Sequence, residues 1–225
     1  MVFPVYDGLP TRKAPIVNYG LMIACIAVWA LQQVLGHVEV DAVRYGFVPF
    51  FLFQEVPASY DIGAVPAGAS LLTYAFLHGD FWHLAGNMLF LWIFGNNVED
   101  ALGPVLYLGF YLFCAAAAAL AEGLIDPTSL APVIGASGAI SGVLGAYLML
   151  YPHQRVVVLV GFFPLPLPAF LVIGLWFAIQ ILDGISGAAA ADSIAWAAHV
   201  GGFLVGALLI RPFRARLRPV RGPWG

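Results

Sequence analysis

Four side chains in an otherwise apolar chain could together perform acyl transfer: Ser137, His199, Asn87 and His83. A serine hydroxyl becomes a competent nucleophile when an imidazole within about 3 Å takes its proton. An amide or imidazole donor can then hold the oxygen that turns negative on the attacked carbonyl. Ser137 sits in the run Gly135-Ala136-Ser137-Gly138, His199 in Ala198-His199-Val200-Gly201-Gly202, and His83 and Asn87 lie four residues apart. On a helix opening after Asp80, a good N-cap residue, His83 and Asn87 share one face. His78 falls in the loop before that helix.

The elements that must position these groups are set by composition. With 62% hydrophobic and 9% charged residues in 225 positions, the solvent for most of the chain is lipid. Apolar runs long enough or nearly long enough to cross it occupy 16–36, 81–99, 104–122, 138–151, 165–185 and 193–210. The first of these is long enough to span and reads as an anchor rather than a removable leader. Six crossings place both termini on one side. Eight of the nine basic residues, including Arg12, Lys13, Arg155 and Arg211, share that side, which the positive-inside rule makes cytoplasmic. Arg44 is the exception.

The reading is therefore an all-α polytopic bundle of six transmembrane helices over 16–211. A cytoplasmic segment 1–15 precedes it, a basic tail 212–225 follows, and a long first external loop covers 37 to about 80. That loop is rich in phenylalanine and proline and suits the outer interface. The loop 152–168, broken by Pro164, Pro166 and Pro168, reads as a re-entry into the fifth helix. Nine scattered basic residues form no nucleic-acid groove. Cys25 and Cys114 read as small buried hydrophobes, and no His-Glu-x-x-His motif or other metal-ligand pattern occurs, so no cofactor is expected.

Depth argues for a cavity. From Ser137 to Pro152 there is room for about 14 helical residues, about 21 Å at 1.5 Å each, against a hydrocarbon core of about 30 Å. If the far end of that helix reaches the inner interface, Ser137 lies well inside the membrane. The loop 131–136 must then dip to meet it, which lipid permits only where backbone lines water or packs in protein. The same arithmetic puts His199 and Asn87 about 10 Å inward from the starts of their helices. Gly138 and Gly142, facing Ala198, Gly202 and Gly206, form small-xxx-small ridges that let the fourth and sixth helices approach closely. An imidazole shielded from water rests neutral and can accept the Ser137 proton. Asp192 is seven residues before His199, about 10 Å away along the helix, so a dyad without a carboxylate is expected. Glu99, near a helix C-terminus, is expected to accept backbone N–H groups of the next helix.

Along roughly 70–211 the chain resembles the rhomboid intramembrane proteases. The matching segments are His78-Gly79-Asp80-Phe81-Trp82-His83-Leu84-Ala85-Gly86-Asn87, Phe94-Gly95-Asn96-Asn97-Val98-Glu99, Gly135-Ala136-Ser137-Gly138 and Ala198-His199-Val200-Gly201-Gly202. The resemblance implies that Ser137 is the nucleophile and His199 the base. It also implies that His83, Asn87 and the Ser137 amide surround the oxyanion, with Gly135, Gly138, His78 and Gly202 shaping the cavity. The partners it implies are lipid and single-span membrane proteins, cut near their external boundary. Entry would pass beside the fifth helix, with 184–193 and the first external loop as lids.

Two departures stand out. Some members carry a tyrosine four residues after the serine, stacked on the imidazole; here that position is Ser141, so another group or simple helix packing must orient His199. Some members also place a Trp-Arg pair in the first external loop; this chain shows none there, although Arg44-Tyr45 lies nearby. Two rival readings, a non-catalytic helix-binding relative and a transporter, are opposed by the retention of both Ser137 and His199 and by the absence of an inverted repeat.

Overall fold

The structure, a computed structural model, describes residues 2–56, 64–186 and 195–216. Four of its helices are long and apolar enough to cross a membrane: α1 (Ile16–Leu35), α7 (Pro104–Ile125), α9 (Ala169–Ser186) and α10 (Trp196–Leu209), the last running on in a 3-10 turn. Between α1 and α7 come the short helices α2 (Val38–Tyr45), α3 (Pro49–Phe53) and α4 (Ala67–Thr73), the last extended by a 3-10 turn Tyr74–Phe76. A helix in three pieces follows, α5 (Phe81–Phe90), a π-helical stretch Leu91–Gly95 and α6 (Asn96–Leu102). The 14-residue α8 (Ser137–Leu150) is the most buried, with 11 residues inside the protein. The long first loop is thus built of helical pieces, and the part 57–63 lies outside the described residues.

The π-helical stretch follows from two polar side chains. Widening the helix frees a carbonyl from its ladder, which in lipid must find another donor. The Asn18 amide on α1 donates to Leu91 O at 2.9 Å, and the Tyr107 hydroxyl on α7 donates to Asn18 Oδ1 at 2.8 Å. A Cβ on Gly95 would run into Asn18 and stand 2.7 Å from the Tyr107 hydroxyl, so glycine is needed for α1 and α7 to close here.

Glu99 also differs from expectation. Its carboxylate accepts the amides of Val17 at 3.1 Å and Asn18 at 2.7 Å, at the start of α1 rather than of the following helix. Helix α1 begins after Pro15, which has no side chain able to cap it, and a carboxylate from a distant segment takes the orphan N–H groups and the positive dipole end.

The all-α reading needs a correction at the end that carries Arg12. Residues 155–168 do not re-enter the bundle. They form an antiparallel hairpin of β2 (Arg155–Val160) and β3 (Phe163–Pro168), and β1 (Val2–Tyr6) pairs along β2 to complete a three-stranded sheet of order β1-β2-β3. The fifth helix accordingly begins at Ala169 rather than 165. Pro164, Pro166 and Pro168 alternate along β3, an edge strand, where alternate residues need no amide for the ladder and prolines block pairing with a further strand.

Asp7 fastens this sheet to the bundle. Buried to 3% exposure, its carboxylate accepts from the Asn97 amide at 2.6 Å, the Tyr147 hydroxyl at 2.8 Å and the Leu9 amide at 3.2 Å. Burial outweighs these bonds and pushes its carboxyl up to about 6 from 3.8. Between those values the folded protein holds a proton that the unfolded chain has released, so stability falls as pH rises through the window. Relative to Asp7→Asn, the natural protein should therefore gain up to about 3 kcal/mol between pH 7 and pH 4. Thermal unfolding of both proteins in detergent across that range measures the difference, and matching pH profiles would show Asp7 to be open to water.

Candidate active site

Residues 131–136 carry the chain down to α8. The loop is pinned on both sides: Phe47 and Val133 exchange backbone bonds of 3.0 and 2.8 Å, and the Gly135 amide donates to Tyr74 O at 2.9 Å. Gly135 has φ of 118°, a conformation that side chains resist, and a Cβ there would sit 2.6 Å from His83 Nε2. A glycine is thus required twice over, by the turn and by the imidazole pressed against it. Helix α8 then begins at Ser137, whose hydroxyl lies at a helix start where amides point outward and the dipole favours negative charge.

Helix α10 meets α8 backbone to backbone. A Cβ on Gly202 would run into the Gly138 carbonyl, and one on Gly206 into the Gly142 carbonyl; on the other face, a Cβ on Gly138 would stand 2.7 Å from Ala118 and 2.8 Å from the Tyr74 hydroxyl. This approach brings His199 Nε2 to 2.8 Å from Ser137 Oγ. The start of α10 lacks a cap of its own, since its N-cap is Ala195. Glu122 on α7 supplies one, accepting the Ala198 amide at 2.9 Å and so fixing the turn that carries His199.

A cavity of about 990 Å³ lies over the pair, lined by His83, Glu122, Ser137, Gln180 and His199 among others and reaching Pro49, Asp126 and Ser129 at the end away from Arg12. The Asp80 carboxylate caps α5 through the His83 amide at 2.9 Å. His83 and Asn87 both approach the Gly135 side of the serine loop. The Asn87 amide nitrogen is buried without a protein partner, a donor held ready for an acceptor that a substrate could bring. His78 is fully buried, 5.2 Å from the His83 ring; burial, and then His83, push its imidazole down to about 4. It therefore packs as a neutral ring behind His83.

Three features of the site carry no motif in the sequence. The His199 Nδ1 lies 2.6 Å from Gln180 Oε1 on α9, the Trp176 ring is 5.9 Å from the imidazole, and Glu122 caps α10. Ser141, where a stacking ring was absent, turns away and donates to Ser137 O at 2.7 Å. The apolar α9 carries few polar residues, and among them Gln180 could have pointed here. Asp192 and most of 184–193 lie outside the described residues. Among the described residues no cluster of His, Cys, Asp or Glu could hold a metal ion, and Cys25 and Cys114 are buried free thiols.

Comparisons with known proteins agree in direction. A family model described as the Rhomboid domain matches residues 67–216. Rhomboid protein 1, mitochondrial, of Saccharomyces cerevisiae is 35% identical over 153 residues, 64% of this chain and 41% of that protein. Rhomboid-like protein 11, chloroplastic, of Arabidopsis thaliana is 30% identical over 169 residues, covering 72% and 58%. Presenilin-associated rhomboid-like protein, mitochondrial, of Homo sapiens is 29% identical over 194 residues, covering 83% and 45%. The chain spans about half the length of these relatives.

The glycine contact makes a sharp prediction. Gly202→Ala must push α10 off α8, because backbone meets the new methyl and cannot rotate aside; we expect a loss of about 1–3 kcal/mol and a slower reaction of Ser137 with a fluorophosphonate. Gly174→Ala on α9, which meets nothing within 4 Å, should neither lower thermal stability in detergent nor slow labelling.

Proposed function

The chain belongs to the rhomboid family, and from that premise we propose that it is an intramembrane serine endopeptidase acting through Ser137 and His199. The observation that carries the reading is the 2.8 Å approach of Ser137 Oγ to His199 Nε2 at the floor of a cavity. Ser137 Oγ attacks the scissile carbonyl as its proton passes to Nε2. The Ser137 amide, with Asn87 and His83, receives the tetrahedral oxygen. Collapse of that intermediate transfers the proton from Nε2 to the leaving amine and leaves an acyl ester on Ser137. Water, activated by the same imidazole, releases the acid and restores the serine.

As an integral multi-pass protein of this family, the chain meets its substrates in lipid. Our topology has six crossings within 16–211, made by α1, the broken α5–α6 helix, α7, α8, α9 and α10, with residues 1–15 and the basic tail 212–225 in the cytoplasm. The cavity then opens on the external side. Its substrates are single-span membrane proteins, unwound and cut near their external boundary at small residues, since an intact helix shields the bond to be attacked. Helix α9 is the side of entry: in its most apolar stretch 12% of residues are buried, against 39% in α7.

Two substitutions test the reading on purified protein in lipid with a panel of single-span proteins. Ser137→Ala should abolish cleavage with little change in thermal stability, because it removes one hydroxyl facing the cavity and keeps a good helix former; cleavage at a comparable rate would end the serine-protease account. Asn87→Ala should lower turnover by about a hundredfold or more while substrate binding persists. Near-normal turnover per folded molecule with lost stability would assign Asn87 to packing.

A further inference from the structure

We propose that Gln180 of α9 is the positioning residue for the base: its Oε1 accepts the Nδ1–H of His199 and so holds the imidazole as the tautomer whose Nε2 lone pair faces Ser137. The inference rests on the dyad reading above and names what the dyad lacks, a third group to orient it. A neutral imidazole has one protonated nitrogen, fixed by what its neighbours donate or accept. For Nε2 to take the serine proton, Nδ1 must carry hydrogen and needs an acceptor. Gln180 Oε1 stands 2.6 Å from Nδ1, on the side of the ring opposite Ser137 Oγ at 2.8 Å. The reverse amide orientation would offer Nδ1 a donor, leave the proton on Nε2 and make His199 useless as a base.

The surroundings leave this task to Gln180. Among the described residues, the titratable groups around the imidazole are His83, across the cavity, and Glu122, whose carboxylate is engaged by the Ala198 amide. Ser141 is turned to Ser137 O. Trp176, one turn before Gln180 on α9, flanks the ring at 5.9 Å, so one helix supplies both the acceptor and the aromatic wall. A carboxylate in this position would bring a buried charge into lipid depth, where the amide orients the ring without one.

A consequence concerns α9 itself. Its described ring contacts with α10 are Phe177 stacked on Phe203 at 4.1 Å and Trp176 beside His199, with Trp196 packed over Gly184. Any outward displacement of α9 that admits a substrate withdraws Gln180 from Nδ1, so the base is oriented only when the helix is seated.

A small fluorophosphonate tests this, because it reports serine reactivity without needing a transmembrane substrate to enter. Its labelling rate would be followed against pH for the natural protein and for Gln180→Leu, Gln180→Glu and His199→Ala in detergent. Gln180→Leu, which keeps the volume and removes the acceptor, should slow plateau labelling by about thirtyfold or more. Gln180→Glu keeps an acceptor and adds a charge that favours the protonated ring, so it should restore most of the rate and move the midpoint of labelling to higher pH. A plateau unchanged in Gln180→Leu, or a midpoint unchanged in Gln180→Glu, would overturn the proposal even if the other variant folds poorly. Labelling of the natural protein that does not depend on His199 would overturn the dyad as well, whereas His199-dependent labelling indifferent to Gln180 sinks only the positioning role.

Discussion

The contact on which everything else depends is that of α8 with α10, where glycine backbones touch carbonyls with no side chain between them. Lipid offers no hydrophobic reward for pressing two apolar helices together, so close van der Waals packing must hold them. Gly138 against Gly202 and Gly142 against Gly206 provide it. A hydroxyl and an imidazole reach hydrogen-bond distance from neighbouring helices only if the axes come this near, and the 2.8 Å pair of Ser137 and His199 stands directly at that seam. The same small residues leave α8 almost entirely inside the protein, which shields the start of a 14-residue helix, short for a full crossing, from hydrocarbon.

Around this seam several polar groups are answered by another segment. Asn18 receives the carbonyl freed by the π-helical stretch, Glu99 caps α1, Glu122 caps α10, and Asp7 ties the sheet to α6 and α8. These bonds cross long distances in sequence, as they must where water cannot substitute for a missing partner. The buried Asn87 amide, one of several buried polar groups without a protein partner, lies beside the serine loop. An unanswered donor beside the Ser137 loop is the kind of group that the proposed oxyanion needs.

Much of this frame was legible in the sequence because it rests on local rules. Asp80 as a cap, α8 opening at Ser137 and the glycine ridges all follow from spacing and helix geometry. The missed parts are non-local. The sheet joins residues 2–6 to 155–168, and the three alternating prolines, which in sequence suggest a break, have the period of two of an edge strand. Glu99 was placed near the correct kind of partner but on the wrong helix, since the choice between α1 and α7 is made by packing and not by sequence distance. Gln180 carries no motif, and only the tertiary arrangement shows which face of α9 meets His199.

The claim at the centre is that one serine among those of the described chain is activated, by one histidine, at the α8–α10 seam. Fluorophosphonate labelling of the purified protein in lipid, followed by peptide mapping of the adduct, reads this most directly. The account predicts a single adduct on Ser137 that disappears in His199→Ala. An adduct on Ser141 or another serine, or one on Ser137 that persists at full rate without His199, would contradict it.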